Sequence, residues 1–166
     1  MKRSTVIALG SMAAALGGGF ALLTRKTEGS LRQAVVDAAL SEKVAPNPVK
    51  YWNDVLVDPS SKPAEWCGAL LLWAIHKAGL GLDIHWVPGL GFLEGVLPRT
   101  SAPKPGDIAY FTKNQHQALA KSVNPNGTIT VINGNDFGGS ITVKDTPRSN
   151  VAAFYSIQPL IQKVLG

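Results

Sequence analysis

A chain of 166 residues, 45% hydrophobic and 16% charged, has room for one domain of ordinary size with a real core, not two. Of its formal charge of +5, Lys2, Arg3, Arg25 and Lys26 supply four, and from residue 28 onward twelve basic residues face eleven acidic ones, which excludes an obvious nucleic-acid footprint. One cysteine, Cys67, excludes an intramolecular disulfide framework.

The first 27 residues read as a module apart. Lys2 and Arg3 precede an apolar run from Thr5 to Leu23, and Arg25 and Lys26 follow it. In a helix that run would cover about 28 Å, close to the hydrocarbon thickness of a bilayer. It is read as an uncleaved membrane anchor through residues 5–23. The alternative is a signal peptide, cleaved near the small-residue pattern Gly19-Phe20-Ala21. Either reading sends residues 28–166 out of the cytoplasm, to the periplasm or cell surface if anchored and secreted if residues 1–21 are removed.

Next comes a helix with Ser30 and Gln33 as a capping box and Leu31, Val35, Ala38 and Ala39 on one face, ending near Lys43 before Pro46 and Pro48. A short helix capped by Asn47 and opened by Pro48 carries Tyr51 and Trp52. After the loop at Asp58-Pro59-Ser60-Ser61, Pro63 suits the first turn of a strongly apolar helix that bears Cys67 and closes at Gly79. Residues 80–105, rich in glycine and proline, read as a loop along one wall of a groove, with at most a short helix around Phe92 and Leu93.

From Pro105 the pattern becomes short strands: 106–111, 116–123, 128–135, about 140–144, and 151–157. Asn124-Pro125-Asn126-Gly127 marks a hairpin between the second and third. Helices first and strands afterwards predict an α+β fold, with a five-stranded antiparallel sheet packed against the cysteine helix.

Cys67 near a helix N-terminus has backbone N–H groups and the positive end of the helix dipole to favour its thiolate. A reactive cysteine there is predicted to be alkylated by iodoacetamide near neutral pH, whereas a packed structural cysteine stays inert. His76 follows nine residues later on the same helix and so lies on the opposite face, out of reach as a base. His85 sits in the glycine-rich stretch. His116, at the start of the second strand, remains. Whether Val123 or Pro125 faces Thr128, the hairpin register pairs even residues with odd ones, so Asn133 and Asn135 fall on the face of His116. A side-chain carbonyl there can hold the imidazole tautomer whose other nitrogen takes a thiol proton.

Other motifs fail. The spacing after Gly89-Leu90-Gly91 misses a dinucleotide fingerprint, Asp136-Phe137-Gly138 lacks the rest of a kinase, and no Gly-x-Ser-x-Gly elbow occurs. Three scattered histidines make no metal cluster with one cysteine, and Asp54 and Asp58 make no calcium loop, so no metal or other cofactor is predicted.

Lys50-Tyr51-Trp52, Pro63-Ala64-Glu65-Trp66-Cys67-Gly68-Ala69, Pro103-Lys104-Pro105-Gly106-Asp107-Ile108-Ala109-Tyr110-Phe111, His116, and Gly127 to Asn135 stand in an ordered set. That set resembles CHAP domains, the cysteine, histidine-dependent amidohydrolase/peptidases of the papain-like superfamily. The resemblance runs from about residue 30 to 158. It implies that Cys67 is the nucleophile and His116 the base, that Asn135 matches the asparagine closing the third motif, and that the substrate is peptidoglycan, cut at an amide or peptide bond. Where the family usually carries glutamate this chain has Asn133. The family's His-Val-Gly strand is here His116-Gln117-Ala118. An amide orients an imidazole, as Cys-His-Asn triads do, without stabilising the imidazolium as a carboxylate would. The alternative is therefore a membrane-tethered, catalytically weak or inactive wall-binding module of the same fold. A third possibility, a small secreted amidase toxin, implies a dedicated inhibitor protein.

Overall fold

A computed structural model describes residues 26–55, 65–81 and 93–166. The apolar run at 5–23, the Asp58 loop, Pro63, His85 and Trp86 lie outside the described residues.

Helix α1, Glu28–Ser41, starts ahead of the capping box read from the sequence. Thr27 is its N-cap: Thr27 Oγ1 accepts from the Ser30 amide at 3.1 Å, and Ser30 Oγ accepts from the Thr27 amide at 2.8 Å. Gln33, the expected partner of Ser30 in that box, instead donates to Asp37 at 2.8 Å, one turn on. The buried face is Leu31, Arg32, Val35, Val36 and Ala39; Ala38 is only partly covered. Helix α2, Pro48–Val55, has Asn47 Oδ1 accepting from the Lys50 amide at 3.2 Å and buries Tyr51, Trp52 and Val55. Helix α3, Cys67–Lys77, is buried from Cys67 to Ile75 because α1, α2 and the sheet all pack on it. It closes as read: Gly79 takes φ +78°, and its N–H donates to His76 O at 2.8 Å.

The strands are β1 (Ile108–Phe111), β2 (His116–Val123), β3 (Thr128–Asp136), β4 (Ser140–Pro147) and β5 (Ala153–Tyr155). They form one five-stranded antiparallel sheet in the order β4-β3-β2-β1-β5. β1 begins later than expected because Gly106 sits at φ +85°, and β4 runs three residues past its expected end. A C-terminal helix α4, Gln158–Leu165, was not read from the sequence, although Pro159 in its first turn and the apolar pair Leu160 and Ile161 announce it.

One face of the sheet meets α3. Ile108, Tyr110, Leu119, Ile132 and Tyr155 join its Leu70, Leu71 and Leu72 in the main core. Ala109, Ala118, Ala120, Ile129, Val131 and Phe154 form a second, smaller cluster, the alternate set on the opposite face.

The hairpin register differs from both expected ones. Asn124 faces Thr128, with the Asn124 amide donating to Thr128 O at 3.0 Å, and Gly127 takes φ +80° in a three-residue loop. Ser122 then pairs with Thr130, even with even. A bulge at Lys121 restores the even-with-odd pairing, so Ala118 faces Asn133. Asn133 thus shares the face of His116, but through the bulge and not through the turn.

Candidate active site

Cys67 is the first residue of α3, and no side chain caps the helix at Trp66. Its first backbone N–H groups therefore have no intrahelical acceptor. Tyr51 fixes this end of the helix from behind, with ring centroids 5.6 Å from Trp66 and 5.3 Å from Trp73. The Tyr51 hydroxyl donates to Glu42 Oε2 at 2.9 Å. The Lys50-Tyr51-Trp52 motif is thus a seat for the helix.

On the sheet side, Gly134 makes the close approach possible. A Cβ there would stand 2.8 Å from Leu70 Cδ2 and 3.1 Å from the Trp66 ring. Any side chain there would require Leu70 and Trp66 to shift for β3 to lie this near the start of α3.

At this end of the sheet opens a cleft of about 1170 Å³, lined by Cys67, His116, Gln117, Asn133, Asn135 and Asp136 among others. His116 Nε2 and Asn133 Oδ1 are 3.1 Å apart. The carbonyl oxygen can only accept, so Nε2 carries the proton and Nδ1 holds the free lone pair. The Cys67 thiol donates to Gln117 Oε1 at 3.4 Å. Strand alternation explains the division: Gln117 lies in phase with Leu119 on the α3 side, and His116 in phase with Ala118 on the other. The cleft reaches both because His116 is the first residue of β2, at the rim of the sheet.

The expected thiolate meets a stronger opposing effect. Burial pushes the Cys67 thiol up, while the backbone amides of Gln117, Gly68 and Cys67 pull it down, and Glu65 adds to the rise. Desolvation outweighs the amides, so burial opposes the thiolate that the helix position by itself favours. Burial likewise pushes His116 down, against the Asn133 hydrogen bond and the charge of Asp136, with Lys144 assisting the fall. A neutral imidazole at neutral pH is a base ready to take a proton.

Asn135, expected on the face of His116, instead lines the cleft from a bulge in β3, the second bulge of the sheet, at φ +56°. That bulge shifts the alternation, so Asp136 follows in phase with Asn133. Asp136, weighed in the sequence only as part of the rejected Asp-Phe-Gly triplet, accepts from Thr142 Oγ1 and pairs with Lys144. Burial works to raise its carboxyl, but Lys144 and Thr142 outweigh it and hold it below the usual range. The signal that could have found it was Gly134-Asn135 just before Asp136 at the end of the strand, residue types that suit a bulge.

Of the other histidines, His76 Nδ1 stands 2.7 Å from Asp54 Oδ2, away from the cleft. Among the described residues no group of three or more His, Cys, Asp or Glu side chains is placed to hold a metal ion. None of the helices among them is long and apolar enough to cross a membrane.

Residues 59–135 match the family model of the CHAP domain. No curated protein and no solved structure matches the chain. The matched segment includes Cys67, His116, Asn133 and Asn135 and ends one residue before Asp136. CHAP domains are in general cysteine- and histidine-dependent amidohydrolases or peptidases acting on peptidoglycan. The four helices and single antiparallel sheet among the described residues are consistent with the α+β, papain-like form of that family, and the match over residues 59–135 supports a CHAP domain there.

Proposed function

We propose that this protein hydrolyses an amide or peptide bond of peptidoglycan by a cysteine thiolate mechanism, with Cys67 as nucleophile and His116 as base. The observation that carries the reading is the cleft that holds the chain's one cysteine together with an imidazole whose tautomer is set by Asn133.

The thiol and the imidazole both start neutral. The thiol proton passes to His116 Nδ1 as sulfur attacks the carbonyl carbon, so the charge pair forms only during reaction. Uncapped N–H groups at the start of α3 hold the oxyanion, each such donor contributing about 3 kcal/mol. The imidazolium returns its proton to the leaving amine, and water attacks the thioester with His116 again as base. Asn135 borders the substrate side of the cleft. Residues 5–23 tether or export the domain to the wall it cuts.

Incubation of the full chain with purified peptidoglycan, followed by mass spectrometry of the soluble products, tests this. Cys67→Ala should lower release by roughly a thousandfold or more with the fold intact. Equal release by that variant sinks the mechanism. A second reading, the catalytically weak wall-binding module, draws on one specific observation: the buried thiol donates to Gln117 Oε1, and its burial opposes the thiolate. It requires wild type to bind peptidoglycan without releasing products.

A further inference from the structure

Of the two carboxylates that line the cleft, Glu65 and Asp136, the mechanism above uses neither, and Asp136 is the one on the sheet beside His116. The β3 bulge lies between Asn133, paired with Thr142, and Asp136, paired with Ser140. Two residues of β3, Gly134 and Asn135, oppose one residue of β4 there. In an unbroken strand residue 135 would follow 133 on its face and residue 136 would turn away. The left-handed Asn135, at φ +56°, moves Asp136 onto the face of His116 and Asn133. Thr142 and Lys144, on that face of β4, then hold the carboxylate by one hydrogen bond and one ion pair.

We propose that Asp136 is the positioning residue that supplies His116 with the negative charge the Asn133 amide cannot, and that Lys144 is the counter-charge that moderates it. The proposal rests on His116 being the base. It divides between two residues what one carboxylate can do alone: Asn133 orients the ring and Asp136 steadies the imidazolium that forms during thiol attack. The charged groups facing the same cleft are Glu65 before α3, Lys113 between β1 and β2, Asp136 on β3 and Lys144 on β4, with the Cys67 thiol beside them. Of these, Asp136 and Lys144 act on His116 in opposite directions, the carboxylate favouring its charged form and the ammonium opposing it. Asp136 needs no contact with substrate for this.

The test is NMR titration of His116 in the full chain in detergent micelles, with Cys67→Ala to remove coupled thiol titration. Asp136→Asn keeps the shape and should lower the His116 pKa by about half a pH unit or more. Lys144→Gln should raise it. An unchanged value in Asp136→Asn, or shifts of the same sign in both variants, overturns the proposal, because a merely structural role has no reason to give opposite signs. In the chain with Cys67 intact, Asp136→Asn should slow product release about tenfold at constant KM, and adding Asn133→Asp should restore most of it by returning a carboxylate to the imidazole. Failure of that rescue, with Asn133→Asp folded, counts against the proposal. A wild type that releases nothing while the two shifts appear with opposite signs would break the hydrolase reading and leave the charge pair standing.

Discussion

Two polar clusters are built into this domain, and they differ in closure. At one, Arg32 of α1 and Asp107 ahead of β1 are both buried, 4% and 1% exposed, and bonded at 2.9 Å. Arg32 also donates to Pro105 O, Glu28 Oε1 and Gln158 Oε1, and Asp107 accepts from the backbone amides of Lys104 and Ile157. That knot joins α1, β1 and the start of α4. The other cluster, Cys67, Gln117, His116, Asn133 and Asp136, opens onto the cleft. The first spends its hydrogen-bonding capacity on the fold, and the second leaves an imidazole nitrogen and a row of helix N–H groups for something else. Buried polar groups hold structure when every atom is matched and become available for chemistry when a few are not.

Asp107→Ala should produce the largest break in the closed cluster. It strands a buried guanidinium and should lower unfolding stability by about 3–5 kcal/mol, measured by chemical denaturation. A loss under about 1 kcal/mol would mean that the remaining acceptors, Glu28 and Gln158, satisfy Arg32 alone. Gly134→Ala comes next, because it presses on both regions at once. The added Cβ would push Leu70 and Trp66 at the head of α3, at about 1–3 kcal/mol, and should lower peptidoglycan cleavage by displacing Cys67. Full activity with reduced stability would show that α3 shifts without moving its first turn. The smallest effect sharpens the open cluster. With the Cys67 pKa raised by burial, the thiolate is scarce at neutral pH, so iodoacetamide alkylation should climb about tenfold per pH unit up to the raised pKa. A rate already level at pH 6 would show that His116 holds the thiol proton at rest.

The same contrast governs what was legible beforehand. Asp107 was read only as part of a Pro-Gly-Asp strand start; its burial partners come from residues 75 and 50 positions away, and no local pattern announces them. The thiolate at a helix start was a sound local argument, overruled by desolvation that depends on what covers the helix. His116 and Asn133 were placed on one face by parity, and they are. The turn nevertheless began in a different register, and the Lys121 bulge compensated.

By itself the sequence determined the order of the first three helices and the five strands, the cysteine at the head of an apolar helix, the Asn-Gly hairpin and the CHAP motif set. Each of these depends on residues near one another in the chain, through periodicity, turn chemistry and caps. Tertiary structure decided which side of the sheet each polar group occupies, that Gln117 meets the thiol, that Asp136 joins His116, and that Arg32 locks Asp107. Bulges shift side-chain alternation by one residue, and burial sets the cost of charge, so both follow from how distant segments pack.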